Sequence, residues 1–345
     1  MTAVFLNRSG VAARRAWGLA MLLLLFAAQC DAQSNKATFE ANQRLGRGVN
    51  LGNFLEAPRD ANWGADIRAE HFALIRQAGF NSVRLPVRWS DYAAKTSPFT
   101  IEQGFFVRVD RLLTAAESQG LNVVLNIHHF EGLDAEPDNF KLMFKSLWEQ
   151  IASRYQSRGE FLYFELNNEP HANLNEKWND VLRIGLAAVR ESNPTRPVIV
   201  GPPHWNGIWA LDKLHLPDDP NLIVTVHMYN PHEFTHQGAS WASPQVRKLK
   251  NLKWGAADEV QKVERELADA AKWGKQHGRP LFLGEFGAYE AAPMESRVKW
   301  TKVVAAAAEK QKMTWAYWEF CAGFGVYDTA TQKWNAPLMQ SLGLQ

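Results

Sequence analysis

The chain has 345 residues, of which 46% are hydrophobic and 21% charged, and its formal net charge is +2. This length is close to that of one eight-fold α/β barrel, and the apolar content excludes a disordered chain. No basic block or stripe is present, so nucleic acid and anionic membranes are poor candidate partners.

The first segment of the chain, residues 1–32, has the pattern of a signal peptide. Three arginines precede the apolar run of residues 16–28, which is too short to be read first as a membrane span. We expect cleavage after Ala32; a lipid anchor on Cys30 is the less favoured alternative. The sequence therefore predicts a secreted or periplasmic protein of residues 33–345, with no membrane contact after cleavage.

The predicted mature chain is electrically balanced. The signal peptide contains three of the 38 basic residues and one of the 36 acidic residues, which leaves 35 of each. Only Cys321 of the two cysteines remains, so no internal disulfide can form. We therefore expect stability to come from a large core rather than from crosslinks.

After residue 38 the sequence alternates between two kinds of segment. Short, β-branched and apolar runs predict strands that are buried on both faces. These runs are Arg47–Leu51, Ser82–Leu85, Asn122–Ile127, Leu162–Leu166, Val198–Val200, Ile223–His227, Leu281–Gly284 and Thr314–Trp318. Amphipathic stretches predict helices at Ala69–Ala78, Val107–Ser118, Phe140–Tyr155, Glu176–Glu191, Asp258–Gln276 and Glu295–Lys310. The Trp-rich segment Pro202–Leu216 is predicted to be mostly loop.

Eight strand–helix repeats in one chain predict a single-domain, closed (β/α)8 TIM barrel of the α/β class. No Gly-rich nucleotide fingerprint follows the first strand, which disfavours a dinucleotide-binding fold. Active sites of such barrels lie at the C-terminal ends of the strands. The polar residues that end each apolar run are therefore the candidate functional residues.

Polar or aromatic residues lie near the C-terminal ends of seven of the eight predicted strands or in the loops that follow them. They are Asn50, Asn53 and Glu56; Arg84 and Trp89; His128 and His129; Asn168 and Glu169; His227, Tyr229, His236 and Trp241; Glu285; and Trp318 and Glu319. A buried carboxylate costs several kcal/mol unless it is paired or neutral, so folding alone does not explain this clustering. Two structural interpretations stay open: Arg84 as a buried ion-pair partner, and Asn53 with Glu56 as loop-shaping residues.

Glu169 and Glu285 suit the hydrolysis of a glycosidic bond. That reaction needs one carboxylic acid to protonate the leaving oxygen and a second carboxylate to attack the anomeric carbon or to activate water. A separation of about 5–5.5 Å would make the enzyme retaining, with Glu285 as nucleophile. We expect Arg84 and Tyr229 to keep Glu285 ionised, and the second carboxylate and an apolar setting to raise the pKa of Glu169.

Other residues of the predicted mouth suit sugar binding. The amide of Asn168 is placed to bind a sugar 2-hydroxyl, and Trp318 to form a floor for one sugar ring. Four of the 14 tryptophans occupy loop positions that would extend a stacking surface: Trp89, Trp205, Trp209 and Trp241. Those within predicted helices are interpreted as packing residues: Trp148, Trp178, Trp273 and Trp300.

The motifs around these residues resemble glycoside hydrolase family 5, among the retaining clan A barrels. They are RGVNLGNFLEAP (47–58), NIHH (126–129), LNNEPH (166–171), HMYNP (227–231), GEFGAY (284–289) and WAYWEF (315–320). YNPHEFTHQGASW (229–241) and WEFCAGFGVYD (318–328) are most similar to bacterial endoglucanases with combined cellulase and mannanase activity. The resemblance covers essentially the whole predicted mature chain.

The resemblance implies roles for individual residues, with Glu169 as acid/base and Glu285 as nucleophile. The family's shared active-site set corresponds to Arg84, His128, Asn168, His227, Tyr229 and Trp318. Sugar contacts of the closer branch correspond to Asn53, Glu56, His129, His236, Trp241 and Glu319. One departure is His232, which stands where that branch favours an apolar ring. The implied activity is retaining endo-β-1,4-glucanase, and we expect cellulose, mixed-linkage β-glucan or glucomannan as the substrate. Apart from the resemblance, a monomer is the default expectation, and no group in the sequence suggests a cofactor or a metal.

Several alternatives stay open. On the same barrel, endo-β-1,4-mannanase or exo-β-glucosidase activity is compatible with the motifs; endo action is favoured because no long insertion interrupts the strand–helix rhythm. The histidines 128, 129, 227 and 236 also allow a metallohydrolase barrel, although Asn50 stands where such barrels place a His-x-His pair. A non-catalytic carbohydrate-binding barrel would not need two glutamates beside an arginine.

Overall fold

The eight apolar segments form one closed parallel barrel in the computed structural model, which describes residues 35–345. The strands are β1 (Arg47–Asn50), β2 (Ser82–Leu85), β3 (Asn122–Asn126), β4 (Leu162–Glu165), β5 (Val198–Val200), β6 (Leu222–Met228), β7 (Leu281–Phe286) and β8 (Thr314–Tyr317). Each strand pairs with the next, and β8 pairs with β1 to close the ring. The predicted (β/α)8 barrel is confirmed, and the predicted strands deviate from the observed ones by at most two residues at either end.

Helices surround the barrel and enter its connecting loops. They are α1 (residues 35–45), α2 (Ala69–Gln77), α3 (Gln103–Ser118), α4 (Glu131–Ala135), α5 (Pro137–Tyr155), α6 (Leu174–Arg190), α7 (His232–Thr235), α8 (Pro244–Arg247), α9 (Ala257–Gln276), α10 (Met294–Lys310) and α11 (Ala336–Ser341). The segment after β5 contains only a short 3-10 helix, Ile208–Lys213, and a two-stranded ribbon follows β8. None of the described helices is both long and apolar enough to span a membrane. The predicted signal peptide lies outside the described residues.

Helix α1 closes the end of the barrel opposite the predicted site. Its residues Ala41 and Leu45 pack with the inward-facing side chains Val124, Tyr163 and Phe282. The Tyr163 hydroxyl donates to the carbonyl of Ala41 at 2.8 Å. Burying a leucine side chain contributes about 1.5–3 kcal/mol, so α1 both seals and stabilises the barrel floor.

Strand periodicity carries polar side chains into the barrel above that floor. Side chains alternate between the two faces of a strand, so Glu165 faces inward two positions after the buried Tyr163. Near the end of β7 the register with β6 shifts, so that His227 pairs with Glu285 rather than with Gly284. Such irregularities re-aim a side chain, and this one brings Glu285 to the barrel mouth.

Candidate active site

A fully buried arginine, Arg84, organises the base of the site. Its guanidinium donates to both carboxylate oxygens of Glu165, at 2.6 and 2.9 Å, and to Oε1 of Glu285 at 2.6 Å. It also donates to the side-chain oxygens of Asn50 and Asn168, at 2.9 and 2.6 Å. Arg84 is therefore both a buried ion-pair partner and a direct contact of a predicted catalytic residue. Its position behind Glu285 places it outside the cavity wall, so the structure does not give it a substrate contact.

Glu285 has one strong donor on each carboxylate oxygen. Arg84 donates to Oε1, and the Tyr229 hydroxyl donates to Oε2 at 2.8 Å. Burial raises the pKa of Glu285, and the charge of Arg84 and the hydrogen bond from Tyr229 oppose that rise. These two donors orient the carboxylate and favour its ionised form, as the sequence suggested.

Glu169 lies close to Glu285 but in a different environment. One of its carboxylate oxygens lies within 4.8 Å of one of Glu285. Its Oε1 contacts Nδ1 of His227 at 2.6 Å, and the side chain remains 23% exposed. Burial raises the pKa of Glu169 to about 7, and the negative charge of Glu165 adds to the rise. The raised pKa fits the expected general acid, although burial, rather than the second catalytic carboxylate, is its main cause.

Two histidines of the site are held in the neutral form. Burial lowers the pKa of His227 to about 4 and that of His128 well below its usual value. His128 lies 4.0 Å from Oε1 of Glu285 and stacks on Trp318, with ring centroids 5.6 Å apart and planes 14° from parallel. Gly52 makes room for that ring, because a Cβ there would lie 2.8 Å from it. Trp318 therefore presents a braced aromatic surface to the cavity.

Asn53, Glu56 and Glu319 form a linked group beside this floor. The carboxylate of Glu56 accepts from the backbone N–H of Asn53 and, at 3.0 Å, from that of Phe54. The amide of Asn53 donates to Glu319 at 2.9 Å. The loop-shaping interpretation of Glu56 is therefore correct, while Asn53 and Glu56 also line the cavity. Glu319 is fully buried and does not reach the cavity wall, so its predicted sugar contact is replaced by support for Asn53.

These residues open into a cavity of about 1610 Å³, which the remaining predicted residues also line: His129, Asn168, His236 and Trp241. Exposed tryptophans from three loops stand around it. Trp205 stacks on His171, with ring centroids 5.2 Å apart. Trp63 contacts His129 and Trp241 contacts Tyr289 edge to face, with ring centroids 5.8 and 5.0 Å apart. Trp209 also lines the wall and is 67% exposed. Such exposed rings suit sugar stacking.

The prediction that Trp89 extends this surface is wrong. Its ring is fully buried against Phe105 and Phe106, and its indole N–H donates to the backbone carbonyl of Asn126 at 3.0 Å. The short helix after β2 turns the ring into the core. The four tryptophans interpreted as packing residues are buried, as expected.

Sequence reasoning missed several residues that hold the site together. Glu165 pairs with Arg84, and Asn126 donates to Glu165 at 3.2 Å and contacts Nδ1 of His128 at 3.2 Å. Asn206, after β5, contacts His227. Glu165 had a usable signal: it is a carboxylate at an inward-facing position of a predicted strand. Asn206 had none, because its loop has no regular periodicity.

The four predicted histidines do not converge on one point. Within residues 35–345, the one group with metal-binding spacing is Glu169, His227 and Glu285. Arg84 already contacts Glu285, and a fixed positive charge at that distance opposes a divalent cation. The Tyr229 hydroxyl donates to the other oxygen, so both carboxylate oxygens of Glu285 already have a hydrogen-bond donor.

A parallel barrel with two neighbouring glutamates in different environments at its C-terminal mouth, beside exposed aromatic rings, is typical of a barrel glycoside hydrolase. The chain belongs to the cellulase family, glycosyl hydrolase family 5, whose profile matches residues 35–323.

Several known proteins are similar to this chain. Endoglucanase H of Acetivibrio thermocellus is 34% identical over 88% of this chain, which spans 33% of that relative's length. Cellodextrinase A of Ruminococcus flavefaciens is 27% identical over 75% of this chain and 80% of the relative. The solved structure of Cel5A from Thermotoga maritima in complex with cellobiose is 47% identical, with a TM-score of 0.86 over 88% of this chain and 99% of that one. The cellulose synthase subunit Z from Clostridioides difficile is 37% identical, with a TM-score of 0.84 over 86% and 99%.

Proposed function

We propose that this protein is a retaining endo-β-1,4-glucanase that cleaves β-linked glucans by double displacement. The observation that carries the proposal is the pairing of Glu169 and Glu285. Their nearest carboxylate oxygens lie within 4.8 Å, and their partners differ in charge: Glu285 contacts the cation of Arg84, whereas Glu169 contacts the neutral ring of His227. Retaining glycosidases hold their carboxyl groups about 5–5.5 Å apart, whereas inverting ones need about 6.5–9.5 Å for an intervening water. The observed spacing supports the retaining geometry.

In the first step, an oxygen of Glu285 attacks the anomeric carbon while protonated Glu169 donates its proton to the glycosidic oxygen. The glycosidic bond breaks, the shortened chain leaves as an alcohol, and a glycosyl ester forms on Glu285. In the second step, ionised Glu169 takes a proton from water, which attacks the same carbon and releases Glu285. Arg84 and Tyr229 stabilise the carboxylate that leaves, so they act in both steps.

The shape of the cavity supports endo action, that is, cleavage at internal bonds of a polysaccharide. Aromatic rings from the loops after β1, β5 and β6 line it, which gives room for several sugar units around the catalytic pair. Candidate substrates are cellulose, mixed-linkage β-glucan and glucomannan. Endo-β-1,4-mannanase activity is a second candidate, because the similar Thermotoga maritima Cel5A is also recorded in complex with mannotriose. Exo-β-glucosidase action is less favoured in so large a cavity.

The proposal includes the location of the enzyme outside the cytoplasm and its oligomeric state. The arginine-led apolar segment at the start of the chain supports export to the periplasm or the medium, where polysaccharide is accessible. The expected partner is the polysaccharide alone, bound by a monomer. Gel filtration of the purified protein and fractionation of expressing cells test these two expectations separately.

Product analysis tests the activity. Purified protein is incubated with carboxymethylcellulose, barley β-glucan, glucomannan and mannan, and the products are followed by chromatography and by proton NMR of the first anomer released. We expect short oligosaccharides of β configuration, at a rate that EDTA leaves unchanged. Glu285→Gln is the matched control and should release none. An initial α anomer would refute the retaining mechanism, and loss of activity with EDTA would favour a metallohydrolase.

A further inference from the structure

Asn206 occupies an unusual position beside the catalytic pair. It is fully buried in the loop after β5, and it follows two residues that, like itself, have left-handed backbone angles, with φ of +54° at Asn206. Gly201 leaves the space for its amide, since a Cβ at that position would lie 2.1 Å from Oδ1. Asparagine tolerates the left-handed conformation better than most residues, which suits it to this loop.

The orientation of this amide follows from its neighbours. Its Nδ2 atom donates to the backbone carbonyl of Asn168, the residue before the predicted acid. A carbonyl only accepts hydrogen bonds, so the nitrogen and not the oxygen must face it. The opposite orientation would place two acceptors in contact. Oδ1 accordingly faces Gly201 and has no hydrogen-bond partner within the described chain.

The same nitrogen also faces His227. Nδ2 of Asn206 lies 3.3 Å from Nε2 of the imidazole, for which residues 35–345 provide no other hydrogen-bond partner. The amide has a second N–H to donate, and a neutral imidazole has one donor and one acceptor nitrogen. Burial keeps His227 neutral by lowering its pKa to about 4. Nε2 is therefore the acceptor, and the single proton of the ring lies on Nδ1.

This tautomer determines where Glu169 can hold its own proton. Nδ1 of His227 lies 2.6 Å from Oε1 of Glu169 and donates to it. Oε1 therefore already accepts a hydrogen bond from His227. Oε2 has no hydrogen-bond partner in the described structure, and Glu169 lines the cavity. The proton of the acid form accordingly lies on Oε2, where a glycosidic oxygen can receive it.

We propose that Asn206 is a positioning residue that fixes the Nδ1–H tautomer of His227 and so keeps the catalytic proton on Oε2 of Glu169. Without this amide, the ring can adopt the Nε2–H tautomer. Nδ1 then accepts a hydrogen bond from a proton on Oε1 of Glu169, which holds that proton away from the leaving oxygen. The kinetic consequence rests on the proposed function, whereas the tautomer itself does not.

The tautomer can be observed in the unaltered protein. Long-range proton–nitrogen correlation spectra of protein labelled with ¹⁵N-histidine distinguish the two neutral forms, and a His227→Gln sample identifies the signals of His227. We expect the Nδ1–H form. An Nε2–H form would overturn the proposal even in a fully active enzyme. Failure of the protein to hydrolyse any glycan would refute the proposed function and leave this result standing.

Kinetics then test the consequence of the tautomer. For Asn206→Ala, we expect kcat/KM to fall about ten- to hundredfold on aryl cellobiosides with poor leaving groups, part of the roughly 100- to 10,000-fold that a general acid supplies. Substrates with good leaving groups need little protonation and should change by less than about threefold. The same variant should show the Nε2–H signal.

The matched control is Asn175→Ala. The side chain of Asn175 accepts from the backbone N–H of His204 at 2.7 Å, so it supports the same loop without touching His227. We expect this variant to affect all leaving groups equally. Equal losses in Asn206→Ala across leaving groups would show a merely structural role and overturn the proposal. If Asn206→Ala does not fold, the spectrum of the unaltered protein decides.

Discussion

Removal of one hydroxyl group at Tyr229 should shift the pH dependence of catalysis. The Tyr229 hydroxyl donates to Oε2 of Glu285 at 2.8 Å, in a partly buried setting at the wall of the cavity. A hydrogen bond to a charged group contributes about 1.5–3 kcal/mol, and one pKa unit corresponds to about 1.4 kcal/mol. Because this bond favours the ionised carboxylate, its loss in Tyr229→Phe should raise the pKa of Glu285 by about one to two units.

The sign of the effect on activity follows from the nucleophilic role of Glu285. The nucleophile must be ionised, so the acidic limb of the kcat/KM profile should move to higher pH by the same one to two units. The basic limb, which reflects deprotonation of Glu169 near pH 7, should move little. The assay is kcat/KM on an aryl cellobioside between about pH 4 and 9.

The control for this experiment is Tyr289→Phe. Tyr289 also lines the cavity, but its hydroxyl makes no bond to Glu285. We expect its acidic limb to coincide with that of the unaltered enzyme. An unshifted acidic limb in Tyr229→Phe would refute the assignment of Glu285 as the ionised nucleophile held by this bond.

Three further substitutions test the site. Glu285→Ala should abolish turnover while oligosaccharide binding, measured by calorimetry, persists; loss of binding as well would indicate a structural role. Glu169→Ala should reduce hydrolysis of glucan by about 10²–10⁴-fold and spare aryl glycosides with good leaving groups; equal losses on both would contradict the acid assignment. Arg84→Met should destabilise the protein by about 3–5 kcal/mol in urea unfolding, since it leaves two carboxylates buried without their cation; unchanged stability would show that these carboxylates are protonated.

The barrel was predictable because its sequence signals are local. Each strand is a short, largely apolar run, and each is followed by an amphipathic stretch or a loop, so the order of elements already favours eight repeats. The strand ends then point to Glu169, Glu285, His128 and Tyr229, because parallel strands of a barrel present their C-terminal ends at one mouth. These four residues do line one cavity.

What could not be predicted depends on which way side chains point. Trp89 and Trp205 both follow strands, yet a short helix buries the first and a left-handed turn exposes the second. The burial of Glu319 behind Asn53 likewise depends on loop shape. The contact between Asn206 and His227 joins the loop after β5 to strand β6 and has no counterpart in sequence periodicity.

The most direct test of the two-glutamate mechanism is to trap the covalent intermediate. A 2-deoxy-2-fluoro cellobioside with a good leaving group forms the glycosyl–enzyme but slows its hydrolysis, because the fluorine destabilises the oxocarbenium-like transition state. Mass spectrometry of the peptides should then find the sugar on Glu285, and no adduct in Glu285→Ala. An adduct on another residue, or hydrolysis that proceeds with no adduct at all, would contradict the mechanism.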